Sequence, residues 1–130
     1  MSHISTQTCN IKTVNEAVLQ QAIEMVVQQF PGMTVDKHIL DFDHSKIPVD
    51  CALHTPKAHR GVGLNWKQTL LNRLEFTGDD WNAGEEFEAI RTALVQAYQA
   101  VAVNRAMTML GYQVSGARAG ANLVVAGVRV

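Results

Sequence analysis

The chain holds only two cysteines, Cys9 and Cys51, in 130 residues. That is too few for a disulfide framework, and they are not spaced as a C-x-x-C metal pair. Both are expected to be reduced and partly buried. A run of like charge is also missing: eleven Lys and Arg stand against twelve Asp and Glu, a net charge of −1. Without a concentrated positive field, no nucleic-acid partner is expected. Long apolar runs are absent as well. The longest weakly charged stretch, 92–104, is too short and too rich in Gln and Ala to span a bilayer, and the N-terminus lacks the charged-then-apolar order of a signal peptide. A soluble, cytoplasmic protein without membrane attachment is the expectation. No P-loop, dinucleotide fingerprint or G-x-S-x-G motif occurs, so no cofactor is expected. There is no repeat, low-complexity tract or linker, and the length suits one domain, 1–130, able to bury roughly two-thirds of its unfolded surface.

What is present is periodicity. His3 to Lys12 reads as a strand through Ile4, Thr6, Thr8 and Ile11, whose change of parity requires a bulge or a side chain on the other face. Thr13-Val14-Asn15-Glu16 has the capping-box pattern, with the Thr hydroxyl accepting from the Glu16 N–H. Val14, Val18, Ala22, Met25 and Phe30 follow at helical spacing, and Pro31-Gly32 ends the helix. From Met33 to Phe76 the period falls to two. The candidate strands are Val35 to Phe42, Ile47 to Leu53, and a hairpin of Val62, Leu64 and Trp66 with Leu70, Asn72, Leu74 and Phe76. Pro48 cannot donate to a ladder, so its strand must start at an edge or enter the sheet late. The segment 55–61 reads as an exposed loop.

A second helix of about 27 residues, roughly 40 Å long, starts at an Asn82 N-cap and stops at Gly111, with Glu85, Glu86 and Glu88 at the positive end of its dipole. Between Arg91 and Arg105 it is uncharged. A ridge of Ala89, Ala93, Ala97 and Ala100 runs beside a bulky stripe of Ile90, Leu94, Tyr98 and Val101. Such a helix, apolar on more than one side, must be covered twice by its own domain or buried against another subunit. Tyr112 to Ala117 and Leu123 to Val130 form the last two strands, and Leu123-Val124-Val125 suits a central one. The order β-α-β-β-β-β-α-β-β predicts an α+β protein: one antiparallel sheet with both helices on one face, an embellished ferredoxin-like core being the favoured variant.

Candidate chemistry concentrates between Asp36 and His59. His38, His44, His54 and His59, with Asp36, Asp41, Asp43 and Asp50, offer lone pairs to a divalent ion, which would make a metal-dependent, hydrolase-like enzyme. The spacing argues otherwise, because no H-x-x-x-H and no cysteine pair anchors the set, and these residues read equally as solvent-facing positions of strands and turns. Cys9 has no basic neighbour in sequence, and Cys51 lies on the apolar side of its strand, where burial raises a thiol pKa and makes it inert. Gly116-Ala117-Arg118-Ala119-Gly120 joins two strands and reads as a hairpin turn, not a phosphate cradle. Trp66 alternates inward with Leu64 and reads as core. Asp79, Asp80 and Trp81 form an acidic-aromatic turn that is the candidate binding surface, since large aromatics supply much of interface energy.

Several short motifs resemble a known family. Met1-Ser2-His3-Ile4-Ser5-Thr6 followed by a strand and an amphipathic helix, Gly63-Leu64-Asn65-Trp66, Asp80-Trp81, Tyr98, and Gly111-Tyr112-Gln113-Val114 are together similar to the proteins named for hypothetical chloroplast reading frame thirty-five, also described as a domain of unknown function numbered 1257. The segment from His38 to Arg60 departs from that family's pattern. The resemblance implies no activity and no fold, and its members occur in cyanobacteria, plastids and some phages. The resulting expectation is a small binding or adaptor protein without enzymatic activity, partnered by a homo-oligomer or an unidentified protein, with Ala89, Ala93, Ala97 and Ala100 as the oligomer contact. A metal-dependent enzyme is the alternative.

Overall fold

The computed structural model describes residues 4–79, 83–119 and 122–129, from 112 onward as backbone only. The elements are β1 (Ser5–Thr8), α1 (Glu16–Gln29), β2 (Thr34–Leu40), β3 (Lys46–His54), β4 (Val62–Asn65), a 3₁₀ turn (Leu70–Asn72), β5 (Glu75–Gly78), α2 (Gly84–Met109), β6 (Tyr112–Ala119) and β7 (Asn122–Arg129). Five strands form an antiparallel sheet in the order β1-β5-β4-β3-β2, and β6 and β7 pair only with each other. The molecule is α+β, as its element order predicts. The ferredoxin-like variant does not hold. It requires one strand between the two that flank α1, and the strand after α2 beside β1, whereas here β2 to β5 form a meander with β1 added at its edge and β6 lies outside the sheet. Likewise β7 is not a central strand: its register runs from Asn122↔Ala119 to Arg129↔Tyr112, against β6 alone.

Local chemistry explains where elements begin. Asn15, not Thr13, caps α1: its Oδ1 accepts from the Val18 N–H at 3.2 Å, one of the helix's unpaired first donors. Thr13 lies in the left-handed region at φ 52, and its N–H is spent on the Leu71 carbonyl at 2.9 Å. β1 stops at Thr8, so Ile4 and Ile11 never share a strand; the Ile11 carbonyl instead accepts from the Leu74 N–H at 2.9 Å. The expected second arm of the β4–β5 hairpin is shorter than its alternation implied. Leu70 and Leu71 lie in the connecting turn, 84% and 59% exposed, and β5 starts only at Glu75. At the end of α2, Gly111 takes φ 85, the left-handed stop that glycine allows.

Both helices bury one stripe: Val18, Leu19, Ala22, Ile23 and Val26 of α1, and Phe87, Ile90, Leu94, Ala97 and Val101 of α2. The stripes share a core with Cys51, Leu53, Val62, Leu64 and Phe76, which the pairs Leu53↔Val62, Cys51↔Leu64 and Leu64↔Phe76 put on one face of the sheet. Each large apolar side chain buried there contributes on the order of 2 kcal/mol. On the other face Ala52, Gly63 and Thr77 lie in register, small but buried. The cause is a bulge: Asp36 faces Ala52 and His38 faces Pro48, so one residue of β2 stands against three of β3. That excess turns Val49 over Gly63, where an added Cβ would meet Val49 Cγ1 at 2.9 Å. Pro48 is tolerated because β4 pairs only with Cys51 to Leu53.

Candidate functional site

The turn from β5 into α2 is built on a buried ion pair. Arg60 Nη1 donates to Asp79 Oδ2 at 2.7 Å, with side chains 11% and 1% exposed. The loop carrying Arg60 is also tied to the helix. Thr55 Oγ1 donates to Glu86 Oε2 at 3.0 Å and accepts from the Ala58 N–H at 3.0 Å. Gly78, just before the turn, has no room for a side chain: a Cβ there would lie 2.8 Å from the Gly61 carbonyl oxygen and 2.9 Å from Phe87 Cε2. Asp79 therefore anchors the turn from inside. Asp80 and Trp81, the rest of the expected binding surface, and Asn82, the expected cap, lie outside the described residues.

The histidines do not converge. His54 spends both ring nitrogens on main-chain carbonyls, Nδ1 on His59 at 2.9 Å and Nε2 on His38 at 2.8 Å. Both ring nitrogens face carbonyl oxygens, so neither is turned toward a metal site. The ring also lies on Gly61, where a Cβ would be 2.6 Å from Cε1. His44 and His59 stack at 6.4 Å between centroids, and His38 Nδ1 stands 3.3 Å from Asp36 Oδ1 without hydrogen-bond alignment. The Lys37 N–H is the main cause holding the Asp36 carboxyl below its usual range, with His38 helping against desolvation. Asp41 closes the β2–β3 turn by accepting from the Asp43 and Ser45 N–H groups, both at 2.9 Å. Among the described residues no three His, Cys, Asp or Glu side chains are grouped to hold a metal ion.

Asp50 is not a solvent-facing residue either. Its Oδ2 accepts from the Trp66 and Lys67 N–H groups at 2.8 and 2.9 Å, pinning the β3 bulge to the end of β4. Next to it a cleft of about 410 Å³ opens between α1 and the β2 edge, floored by Leu19, Ile23, Cys51 and Trp66. Trp66 is core, 6% exposed, with its indole N–H donating to Glu16 Oε1 at 3.2 Å. Burial, and secondarily the Asp50 charge, push the Cys51 thiol up to about 11, so it offers no thiolate near neutral pH.

The alanine ridge of α2 is divided between environments. Ala89 is exposed, Ala93 and Ala100 are half-buried, and Ala97 belongs to the core at 2% exposure, out of reach of a second molecule. The bare apolar surface lies further along, where α2 outruns α1: Val103 is 46%, Met109 84% and Leu110 70% exposed. A groove of about 550 Å³ sits at the other end of α2, with Phe30, Ala89 and Ala93 as its apolar wall and Glu85 and Glu88 among its polar lining. The sequence did carry a signal for this polarity. All twelve acidic residues precede residue 101, and Arg105, Arg118 and Arg129 follow with none. Among the described residues no helix is long and apolar enough to cross a membrane. No protein-family model, curated protein or solved structure matches the chain.

Proposed function

We propose that this chain is a small binding or adaptor protein, without enzymatic activity, that associates with itself through the C-terminal third of α2. The observation that carries the reading is the apolar surface of Val103, Met109 and Leu110, which no other part of the described molecule covers. Its neighbours strengthen it. β6 and β7 form a separate two-stranded sheet whose main contacts are with α2, and a two-stranded sheet depends on such packing for its stability. The buried Asp79 and the half-buried Asp50 are committed to holding loops. In the same proposal, Trp81, two residues after Asp79 in the sequence, contacts a protein partner. The family resemblance, extended here to membership, fits a recognition module, and two free cysteines fit a reducing cytoplasm. The test is sedimentation of the full chain: a dimer or larger species at tens of micromolar is expected, and Met109→Lys with Leu110→Lys should shift it to monomer. A wild-type chain that stays monomeric at millimolar concentration overturns the reading.

A further inference from the structure

The bulge in β2 leaves Lys37 unpaired between Asp36 and His38, opposite residues 49–51 of β3. In a regular strand neighbouring side chains point to opposite faces, but here Asp36 with Lys37, and Asp50 with Cys51, line one cleft. Bulges re-aim side chains in this way. The cleft's volume of about 410 Å³ is within the usual range of small-ligand pockets, roughly 300 to 1,000 Å³. Its floor of Leu19, Ile23 and Trp66 is buried. Trp66 is gripped by two carboxylates: its indole N–H donates to Glu16 Oε1 at 3.2 Å and its backbone N–H to Asp50 Oδ2 at 2.8 Å. Glu16 Oε2 and Asp50 Oδ1 have no donor among the described residues. The lysines of the rim are not anchored. Lys37 and Lys67 make no ion pair among the described residues, and Lys67 Nζ stands 5.7 Å from the Trp66 ring centroid, within cation–π range. The indole face therefore already holds a cation, supplied by the chain itself.

We infer that this cleft binds a small organic cation, a primary amine on an apolar body about the size of a benzene ring. The ammonium replaces the Lys67 head on the Trp66 face, with Glu16 and Asp50 as its counter-charges, and the body lies on Leu19 and Ile23. A bare metal ion does not suit the cleft, because the described acids are not grouped to coordinate one. An ammonium needs only one or two acceptors, and its apolar body gains from the floor. An anion suits it less. The lining has three acids against two lysines; Glu16 and Asp50 are fixed by N–H donors, whereas an unpaired lysine head on its flexible stem reorients easily. None of these residues lies on α2, so the inference stands independently of self-association.

The probe is phenethylamine, with 3-phenylpropionate as an anion of like shape, each titrated into the full chain at neutral pH and followed by calorimetry and by the Trp66 indole N–H resonance. The amine is expected to move that resonance and to bind with a Kd of about 1 mM or tighter, ordinary for so small a molecule. The acid should bind about tenfold more weakly. Glu16→Gln keeps an oxygen for the indole N–H but removes the charge, and should weaken the amine about fivefold. Lys67→Met removes the competing cation and should tighten it about threefold. Lys67 is exposed; if Glu16→Gln disturbs the start of α1, as circular dichroism would reveal, Lys67→Met alone still reads the sign of the charge effect. A resonance unmoved at several millimolar amine, a carboxylate that binds as well as the amine, or a folded variant whose affinity does not move in the stated direction overturns the inference.

Discussion

A buried charge stays charged only while its partner is present, which makes Arg60 the most consequential side chain of the loop 55–61. Removing it takes from Asp79, 1% exposed, the guanidinium at 2.7 Å, and breaking a buried ion pair costs about 3 kcal/mol or more. Arg60→Met is therefore expected to lower the urea midpoint strongly, and Asp79→Leu in addition should restore part of the loss. Failure of the double variant to recover would mean that the loop, not the charge, was at stake. Cys51 sets a pH dependence. Its thiol holds its proton to about 11 in the fold, against 9.0 ordinarily, so above pH 9 the unfolded chain has released a proton the folded one keeps. Its contribution to stability is full below pH 9 and lost as pH rises toward 11. Between pH 8.5 and 10.5 the wild type should lose stability more steeply than Cys51→Ala, and equal slopes would remove Cys51 from the account. Direct burial of this thiol was legible from strand alternation. That Asp50 and His54 are inward ties was not, because two residues inserted by a bulge cannot be counted from one strand alone.

At the scale of elements, the clearest difference between expectation and structure is the start of α1. Thr13 and Glu16 have the spacing of a reciprocal cap, yet the Leu71 carbonyl takes the Thr13 N–H and Tyr98 Oη accepts the Asn15 N–H at 3.0 Å. Tertiary partners reached those donors first. Asn15→Ala should cost about 1 kcal/mol and Tyr98→Phe a similar amount by orphaning the Asn15 N–H. Thr13→Gly should be neutral or stabilising, since a β-branched residue sits poorly at φ 52. Thermal unfolding of the three variants decides the order, and a Thr13 change costlier than Asn15→Ala would reinstate the capping box. The extents of α2 and of the final hairpin were readable from composition, since a left-handed stop at Gly111 and alternating apolar residues act locally. Which strand would receive β7 was not.

For the whole molecule, the decisive feature is mismatch in length. α1 spans 14 residues and α2 26, about 21 and 39 Å, so nearly half the length of α2 is unmatched by α1. In the proposed self-association the apolar side chains left there supply the contact, and the charge imbalance along the chain, acidic before residue 101 and basic after it, adds an electrostatic part. The oligomer should weaken several-fold between 50 and 500 mM salt, as exposed charges are screened, while Val103→Lys weakens it at every salt concentration. An oligomer indifferent to both would be held by some other surface.

The sequence by itself determined the order of elements, the apolar stripes, the α+β class and the inward placing of Trp66 and Cys51, because helix and strand periods are properties of neighbouring residues. Only the tertiary structure decided the sheet order, the Arg60–Asp79 pair, the engagement of both His54 nitrogens and the isolation of β6 and β7. Each of these joins positions far apart in the chain, and the energy that selects them comes from desolvation and pairing that no local window contains.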